Sequence, residues 1–213
     1  MQVRQFRTGG DRNFGYLAVD AATRDAFVVD PSYNPASIVR HAEAEGCHVR
    51  YIFCTHAHED HINGNTEIGR LTGIRPLLFG DTCPVTGITV EDGAVFPVGA
   101  SSLRIIHTPG HTPDSICLFA GNALFTGDTL FNGKVGGTVS DDAARLEYDA
   151  LHRLLRVLPP DTVVYPGHDY GLQPFSTLAA EVSSNPFLLQ PDFASFLSLK
   201  RNWADYKKAH GIK

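Results

Sequence analysis

The chain alternates short apolar runs with turns rich in Gly, Pro, Asn and Asp. This pattern is typical of a protein built from many short strands. Most runs carry β-branched or aromatic residues, which favour strands over helices. We therefore predict strands throughout the chain, at residues 14–20, 26–30, 49–55, 75–80, 87–92, 94–99, 102–108, 115–121, 123–129 and 162–168.

Helical spacing appears in three places between and after these runs. Residues 35–46 begin with Pro35 and end at Gly46, as helices commonly do. Residues 142–158 place leucines three to five positions apart, and residues 174–209 are helical apart from a break at "SNPFLLQPD". No shift in composition marks a domain boundary. We therefore predict an α/β (α+β) protein forming a single domain over residues 1–213, with a short helical tail from about residue 186.

Composition narrows the class of protein. The chain has 213 residues, is 43% hydrophobic and has a formal net charge of −5, which does not favour nucleic acid as a partner. No run reaches the roughly 20 apolar residues of a membrane span, and no secretory signal begins the chain. The four cysteines are irregularly spaced, which predicts free buried thiols and a cytoplasmic protein.

The segment "THAHEDHINGN" at residues 55–65 directly follows an apolar strand. His56 and His58 are two positions apart, so in extended chain both imidazoles point to the same side and can reach one ion. Asp60 and His61 follow where the chain turns towards a helix, and they are better placed to reach a second point nearby. Imidazole and carboxylate are ligands for zinc, iron and similar ions.

The same arrangement recurs three times along the chain. His111 lies in "HTPGHTPDS", Asp128 in "LFTGDTLF" and His168 in "VVYPGHDY". Each follows an apolar strand and stands in a tight turn that contains glycine. Because loops at strand ends are where rigid folds place functional groups, the recurrence predicts one metal site built from all of these turns.

Together these motifs resemble the metallo-β-lactamase superfamily. Within it, "FTGDTLF", "TPGHTPDS" and "YPGHDY" are similar to glyoxalase II, the hydroxyacylglutathione hydrolases, over about residues 10–190. The resemblance implies a four-layer αββα sandwich with the metal site at one edge of its two sheets.

The resemblance also implies the ligands. One ion would take His56, His58 and His111, a second would take Asp60, His61 and His168, and Asp128 would bridge them. Seven ligands are too many for one zinc, which is normally four-coordinate. We therefore expect two divalent ions, zinc in the first place and iron or manganese as alternatives. Asp128 stands where some antibiotic-hydrolysing relatives have a cysteine, which disfavours that activity.

Two neighbouring ions can share a hydroxide that attacks a carbonyl, with Asp60 as the catalytic residue that orients it. The resemblance implies that Lys134 and Tyr170 contact glutathione, whereas Gly136 stands where the family has a second tyrosine. The cations of the tail look like a solvated helix face rather than a glutathione site; they are Lys200, Arg201, Lys207 and Lys208.

The predicted function is hydrolysis of a small-molecule thioester, with an acyl-glutathione such as S-lactoylglutathione as the leading candidate. A second hypothesis is a persulfide dioxygenase with one Fe(II) held by His56, His111 and Asp128, a two-histidine, one-carboxylate set. A lactonase or another ester hydrolase on the same fold is a third, because one metal platform can serve many substrates.

Overall fold

The computed structural model describes residues 1–171 and 173–211. Its strands are short, and most coincide with the apolar runs of the sequence. They are β1 (Gln2–Gly9), β2 (Asn13–Val19), β3 (Asp25–Val29), β4 (His48–Phe53), β5 (Val95–Val98), β6 (Ser101–His107), β7 (Ile116–Ala120), β8 (Ala123–Gly127), β9 (Leu130–Phe131), β10 (Lys134–Val135), β11 (Val163–Pro166) and β12 (Ser176–Thr177).

Most helices of the described residues lie where the spacing of apolar residues predicts them, and two short ones lie within and after the histidine segment, where the chain was expected to turn into a helix. The helices are α1 (Pro35–Ala44), α2 (Glu59–Ile62), α3 (Asn65–Thr72), α4 (Asp141–Val157), α5 (Leu178–Ser184), α6 (Phe193–Arg201) and α7 (Trp203–His210). The side chains of Ser140, Thr177 and Asp192 accept hydrogen bonds from backbone amides in the first turns of α4, α5 and α6. These N-caps explain why the helices begin where they do.

Two larger sheets form the centre of the molecule. The first has the order β1-β2-β3-β4, and the second has the order β12-β11-β8-β7-β6-β5. Most neighbours are antiparallel, but β3 pairs with β4 and β8 pairs with β11 in parallel. In a parallel pair the carboxyl ends of both strands meet at one edge. Each sheet therefore brings the loops after two strands together.

Three apolar clusters separate four layers. One lies between the sheets and includes Phe27, Phe53 and Phe125, all fully buried. A second packs α1 and α3 on the outer face of the first sheet, and a third packs α4, α5 and α6 on the outer face of the second. The predicted αββα sandwich is confirmed, because each sheet buries one face against its partner and the other against helices.

Three sequence predictions about strands need correction. Residues 75–80 and 87–92 form only isolated bridges, Phe53 with Leu77 and Thr82 with Thr89. Pro76 lacks an amide hydrogen, and Gly80 and Gly87 adopt φ values of 87° and 72°, which interrupts a ladder. Strand β1 was not predicted, because it lies at a sheet edge and most of its side chains are at least partly exposed.

The cysteines are free, as the sequence predicts, but the predicted burial is wrong for Cys47. All four are free; three are buried, and Cys47 is partly exposed. Within the part of the chain that the structure describes, no helix is both long enough and apolar enough to cross a membrane.

The aromatic core between the sheets generates a first prediction. The Phe125 ring contacts Tyr16, Phe27 and Tyr165 at centroid distances of 5.1, 5.6 and 5.4 Å. Replacing Phe125 with Ala leaves a cavity that both sheets line, so we expect a loss of about 3–5 kcal/mol in the free energy of unfolding.

Urea denaturation followed by circular dichroism measures this loss. The control is Val139→Ala, because Val139 is 94% exposed and its truncation should change stability by less than about 0.5 kcal/mol. Equal stability of the two variants would contradict the proposed role of the inter-sheet core.

Candidate metal centre

The site lies where the loops after parallel strands meet. His56 and His58 follow β4, and His61 lies on α2, the short helix that comes next. Asp128 follows β8 and His168 follows β11, the strand that runs parallel to β8. His111 lies in the turn between β6 and β7. The backbone thus places all seven predicted ligands at one edge of the sandwich.

The side chains of His56, His58 and His111 form a first group. His58 Nδ1 lies 3.0 Å from His56 Nε2 and 3.0 Å from His111 Nε2. His56 is buried, whereas His58 lies at the surface and His111 is half-buried. These three nitrogens converge on one point, as the alternation along an extended segment predicts for His56 and His58.

The side chains of Asp60, His61 and His168 form a second group. The Nε2 atoms of His61 and His168 are 3.3 Å apart, and Asp60 Oδ2 lies 3.3 Å from His168 Nε2. Asp60 Oδ2 is also 3.8 Å from His61 Nε2. His61 and His168 are buried, and the Asp60 side chain is 35% exposed, which leaves this group open to solvent on one side.

Asp128 lies between the two groups. Its Oδ1 is 3.3 Å from His61 Nε2, and its Oδ2 is 3.6 Å from His111 Nε2 and 3.5 Å from His168 Nε2. One carboxylate therefore faces a member of each group. His56, His61 and Asp128 also form a close set of their own, with ligand atoms within 4.8 Å of one another.

Hydrogen bonds behind the ligands orient three imidazoles. Nδ1 of His111 lies 2.7 Å from Gly137 O, and Nδ1 of His168 lies 2.8 Å from Asp11 O. Nδ1 of His61 lies 2.9 Å from Asp30 Oδ2. Because all three partners are acceptors, each Nδ1 donates a hydrogen and each Nε2 faces the site.

Asp30 lies directly behind the metal-ligand candidates, and the sequence motifs did not single it out. It is 1% exposed and accepts hydrogen bonds from the backbone amide and the hydroxyl of Thr55 at 2.7 and 2.8 Å, in addition to facing His61. It follows β3, and β3 is parallel to β4, so its carboxylate lies beside the start of the histidine segment. The signal was present, since "AFVVD" is another apolar strand that ends in an acid.

Asn13 was also missed, and no local signal marks it. It is fully buried, and its Nδ2 donates to Asp60 Oδ2 at 3.0 Å and to Asp60 O at 3.1 Å. Asp11 lies in the turn between β1 and β2, and Asn13 is the first residue of β2, so this hairpin contacts the second group on the side away from the first. Only the folded chain brings the hairpin to residues so distant in sequence.

Burial and neighbouring charges shift the pKa values of the site residues in opposite directions. Burial lowers the pKa of His56 to about 2 and lowers that of His111. Burial would also lower the pKa of His61 and His168, but the neighbouring carboxylates, Asp30 and Asp128 for His61 and Asp128 for His168, raise both. Burial would raise the pKa of Asp128, yet the two imidazoles hold it well below its ordinary value.

These residues fit divalent cations. The Nε2 atoms of His61 and His168 lie 3.3 Å apart, and carboxylate oxygens of Asp60 and Asp128 lie within 3.8 Å of them, which is a donor set that suits a divalent cation. Asp128 Oδ1 is buried and has no hydrogen-bond partner among the described residues. Gly167 leaves it room, because a Cβ there would lie 2.4 Å from Asp128 Oδ1. Imidazole nitrogen and carboxylate oxygen suit zinc and neighbouring metals.

Lys134 and Tyr170 lie beside the second group. The Tyr170 ring stacks on His168 at a centroid distance of 4.7 Å, and Lys134 Nζ lies 3.8 Å from the centre of the Tyr170 ring. The Tyr170 hydroxyl donates to Asp11 Oδ2 at 2.7 Å. Burial lowers the pKa of Lys134, and repulsion from Lys207 adds to this despite attraction from Asp128.

The tail cations do not form one solvated face. Lys200 has a side chain only 9% exposed and pairs with the fully buried Glu147, whereas Arg201 pairs with Asp141 at the surface. Lys207 is half-buried and near enough to Lys134 to affect its pKa. The prediction of a solvated face is therefore wrong for Lys200, because α6 packs against α4 on that side.

Comparison with known proteins defines the family. The model of the metallo-beta-lactamase superfamily matches residues 8–82 and 77–168, which include all seven converging side chains. The chain belongs to the metallo-beta-lactamase superfamily.

Several named members of the superfamily are similar to this chain over most of its length. The chain is 36% identical to the probable hydroxyacylglutathione hydrolase glo2 of Schizosaccharomyces pombe, over 76% of this chain and 66% of that protein. It is 38% identical to the hydroxyacylglutathione hydrolase of Rhodospirillum rubrum, over 80% and 67%. The crystal structure of ETHE1 from Myxococcus xanthus superposes with a TM-score of 0.84 at 30% identity, covering 95% and 91%. The chain thus spans about two thirds of the hydrolases but nearly all of ETHE1.

The pair formed by Asp30 and His61 generates a second prediction. Replacing Asp30 with Asn keeps the shape but removes the charge opposite His61, so we expect the metal-free protein to lose about 3–5 kcal/mol of unfolding free energy. Urea titrations of metal-free protein measure the loss. The control is Asp149→Asn, because Asp149 pairs with Arg145 where both are 55% exposed, and it should cost less than about 1 kcal/mol.

The pH dependence of this loss has a definite sign. The folded protein holds the pKa of His61 well above its unfolded value of 6.5, so the pair stabilises fully below that pH. The stabilisation is lost as pH rises through the folded pKa. The difference between wild type and Asp30→Asn should therefore be largest near about pH 6 and shrink in alkali; a difference that grows with pH would contradict the ion pair.

Proposed function

We propose that this protein is a dinuclear metallohydrolase that cleaves thioesters, with an acyl-glutathione such as S-lactoylglutathione as substrate. The observation that carries the proposal is the position of Asp128 between two groups of three ligands. Two separate clusters joined by one carboxylate suit two ions, whereas a single zinc is normally four-coordinate. The names of the similar hydroxyacylglutathione hydrolases support the substrate class.

We assign the ligands as follows. His56, His58 and His111 would hold one ion, Asp60, His61 and His168 would hold the other, and Asp128 would bridge them. Zinc fits best, with iron or manganese as alternatives, because imidazole and carboxylate accept all three. Bound divalent ions would supply a hydroxide at neutral pH and polarise the substrate carbonyl.

The protein's own residues supply orientation. Asn13 holds Asp60 Oδ2 in place, so that this carboxylate faces the second group and would orient the attacking hydroxide there. Gly137 O, Asp30 and Asp11 O accept hydrogen bonds from the outer nitrogens of His111, His61 and His168, so that Nε2 of each is the atom that would bind a metal. These contacts preorganise the site before substrate arrives.

Lys134 and Tyr170 would contact the thiol-bearing part of the substrate. Lys134 Nζ stands over the Tyr170 ring, which in turn stacks on His168. A half-buried ammonium in this position suits a carboxylate or carbonyl of the substrate. The free thiols suit a reducing compartment, and we propose the cytoplasm.

The bridging role of Asp128 generates a third prediction. Asp128→Ala should lower metal content from two ions per chain and reduce thioester hydrolysis by at least about a hundredfold, because both groups lose a shared ligand. Metal analysis of protein purified without added metal and release of free thiol from S-lactoylglutathione measure the two effects. The control is the exposed Asp161→Ala. Wild-type protein inert towards every thioester tested would refute the proposal.

A persulfide dioxygenase is the second candidate. The set expected for it is His56, His111 and Asp128, two histidines and one carboxylate, the composition that suits a single Fe(II), and Asp128 Oδ2 lies 3.6 Å from His111 Nε2. The similarity to ETHE1 extends over nearly the whole length of both chains, so an experiment must distinguish the dioxygenase from the hydrolase. One iron per chain, together with oxygen uptake on glutathione persulfide, would favour this candidate. Cleavage of lactones but not thioesters would point to the third, a lactonase.

The position of Lys134 beside the second group generates a fourth prediction. Lys134→Ala should raise KM for S-lactoylglutathione about tenfold or more with little change in kcat, since a charged hydrogen bond contributes roughly 1.5–3 kcal/mol. Steady-state kinetics with S-lactoylglutathione and with an uncharged thioester test this. The uncharged substrate serves as the control, and its KM should stay the same. An equal rise for both substrates would show that Lys134 does not recognise the glutathione moiety.

A further inference from the structure

The most deeply buried ion pair outside the metal centre joins α4 to α6. Glu147 is 0% exposed and the Lys200 side chain 9%, and the two groups are in direct contact. Lys200 Nζ also donates a hydrogen bond of 2.6 Å to the backbone oxygen of Gly136. The tail therefore reaches into the segment that follows β10.

That segment lies directly behind His111. The next carbonyl along the chain, Gly137 O, is the acceptor that faces His111 Nδ1 at 2.7 Å. Gly136 itself is wedged in place, because a Cβ there would lie 2.1 Å from Asp128 O and 3.1 Å from both His111 Cβ and Glu147 Oε1. A continuous series of contacts thus runs from Lys200 through the two glycines to a proposed ligand.

Packing of the two helices does not explain this pair. Buried ion pairs are often no more stabilising than apolar residues of similar volume, and Glu147 Oε1 has no hydrogen-bond partner in the described residues. Arg201 and Asp141 already link the same helices at the surface. What distinguishes Lys200 is its bond to Gly136 O, which the surface pair does not make.

We propose that Lys200, held by Glu147, is a positioning residue for His111. It fixes the Gly136–Gly137 segment, so that Gly137 O keeps the proton on Nδ1 of His111 and leaves Nε2 free for a metal. This inference rests on the metal centre proposed above and is independent of the substrate. It gives the tail a role behind the site, in place of a role in contacting glutathione.

The test separates positioning from stability. Lys200→Met alone leaves the buried Glu147 carboxylate without its cation and is expected to destabilise the protein. The informative variant is therefore the double replacement Lys200→Met with Glu147→Leu. An apolar pair of this size should restore a Tm near that of the wild type. Arg201→Met is the matched control, because it removes the other cation that joins α6 to α4.

Cobalt titration of metal-free protein, followed by visible absorption, provides the first measurement. We expect the double variant to bind one of two cobalt equivalents about 10–100-fold more weakly, as loss of a contact behind a ligand typically causes. Arg201→Met should titrate like the wild type. A double variant that folds and binds cobalt as tightly as the wild type would overturn the proposal.

Long-range ¹H–¹⁵N NMR of the metal-free proteins provides a second measurement that holds even if a variant is less stable. His111 should be protonated on Nδ1 in the wild type and should populate both tautomers in the double variant. An unchanged tautomer would likewise refute the positioning role. Neither measurement uses a substrate, so a negative thioesterase assay leaves this test unaffected.

Discussion

Two parallel strand pairs, one in each sheet, are the constraint on which the site depends. The pair β3 and β4 brings Asp30 beside Thr55 and the first histidines, and the pair β8 and β11 brings Asp128 beside His168. The connections between parallel strands must cross over the sheet, and here they include α1 and α4, the helices that cover the outer faces. The same connectivity that builds the layers therefore gathers the ligands at one edge.

Electrostatics then determine what the gathered side chains can do. Buried imidazoles resist protonation, as the low pKa of His56 shows, whereas Asp30 and Asp128 favour it on His61. These opposite pKa shifts occur in side chains only a few ångströms apart, and the acceptors behind three of the imidazoles leave each Nε2 facing inwards. Positive charge supplied by metal ions would stabilise both the inward-facing nitrogens and the carboxylates.

The convergence of the seven side chains could be predicted from the sequence, since each segment that carries them follows an apolar strand and contains a glycine, whereas the four layers were implied by the resemblance to the superfamily. The sequence did not reveal Asn13, because a buried asparagine in a hairpin turn looks like any turn residue until the fold brings it to Asp60. It misjudged Lys200 for a related reason. Helical spacing shows that a face exists, but the packing of α6 on α4 decides whether that face meets water or Glu147. Contacts between distant segments carry little local signal.

The hairpin between β1 and β2 has a consequence for assembly. His168 bonds to Asp11 across 157 positions, and His61 meets His168 across 107. An ion in the second group would close a loop of that length, and long closed loops restrict the unfolded chain strongly. Because this group needs residues from near the start of the chain and from beyond β11, it cannot form until both sheets have docked. Metal uptake at this position would therefore report completed folding and would fasten distant parts of the chain together.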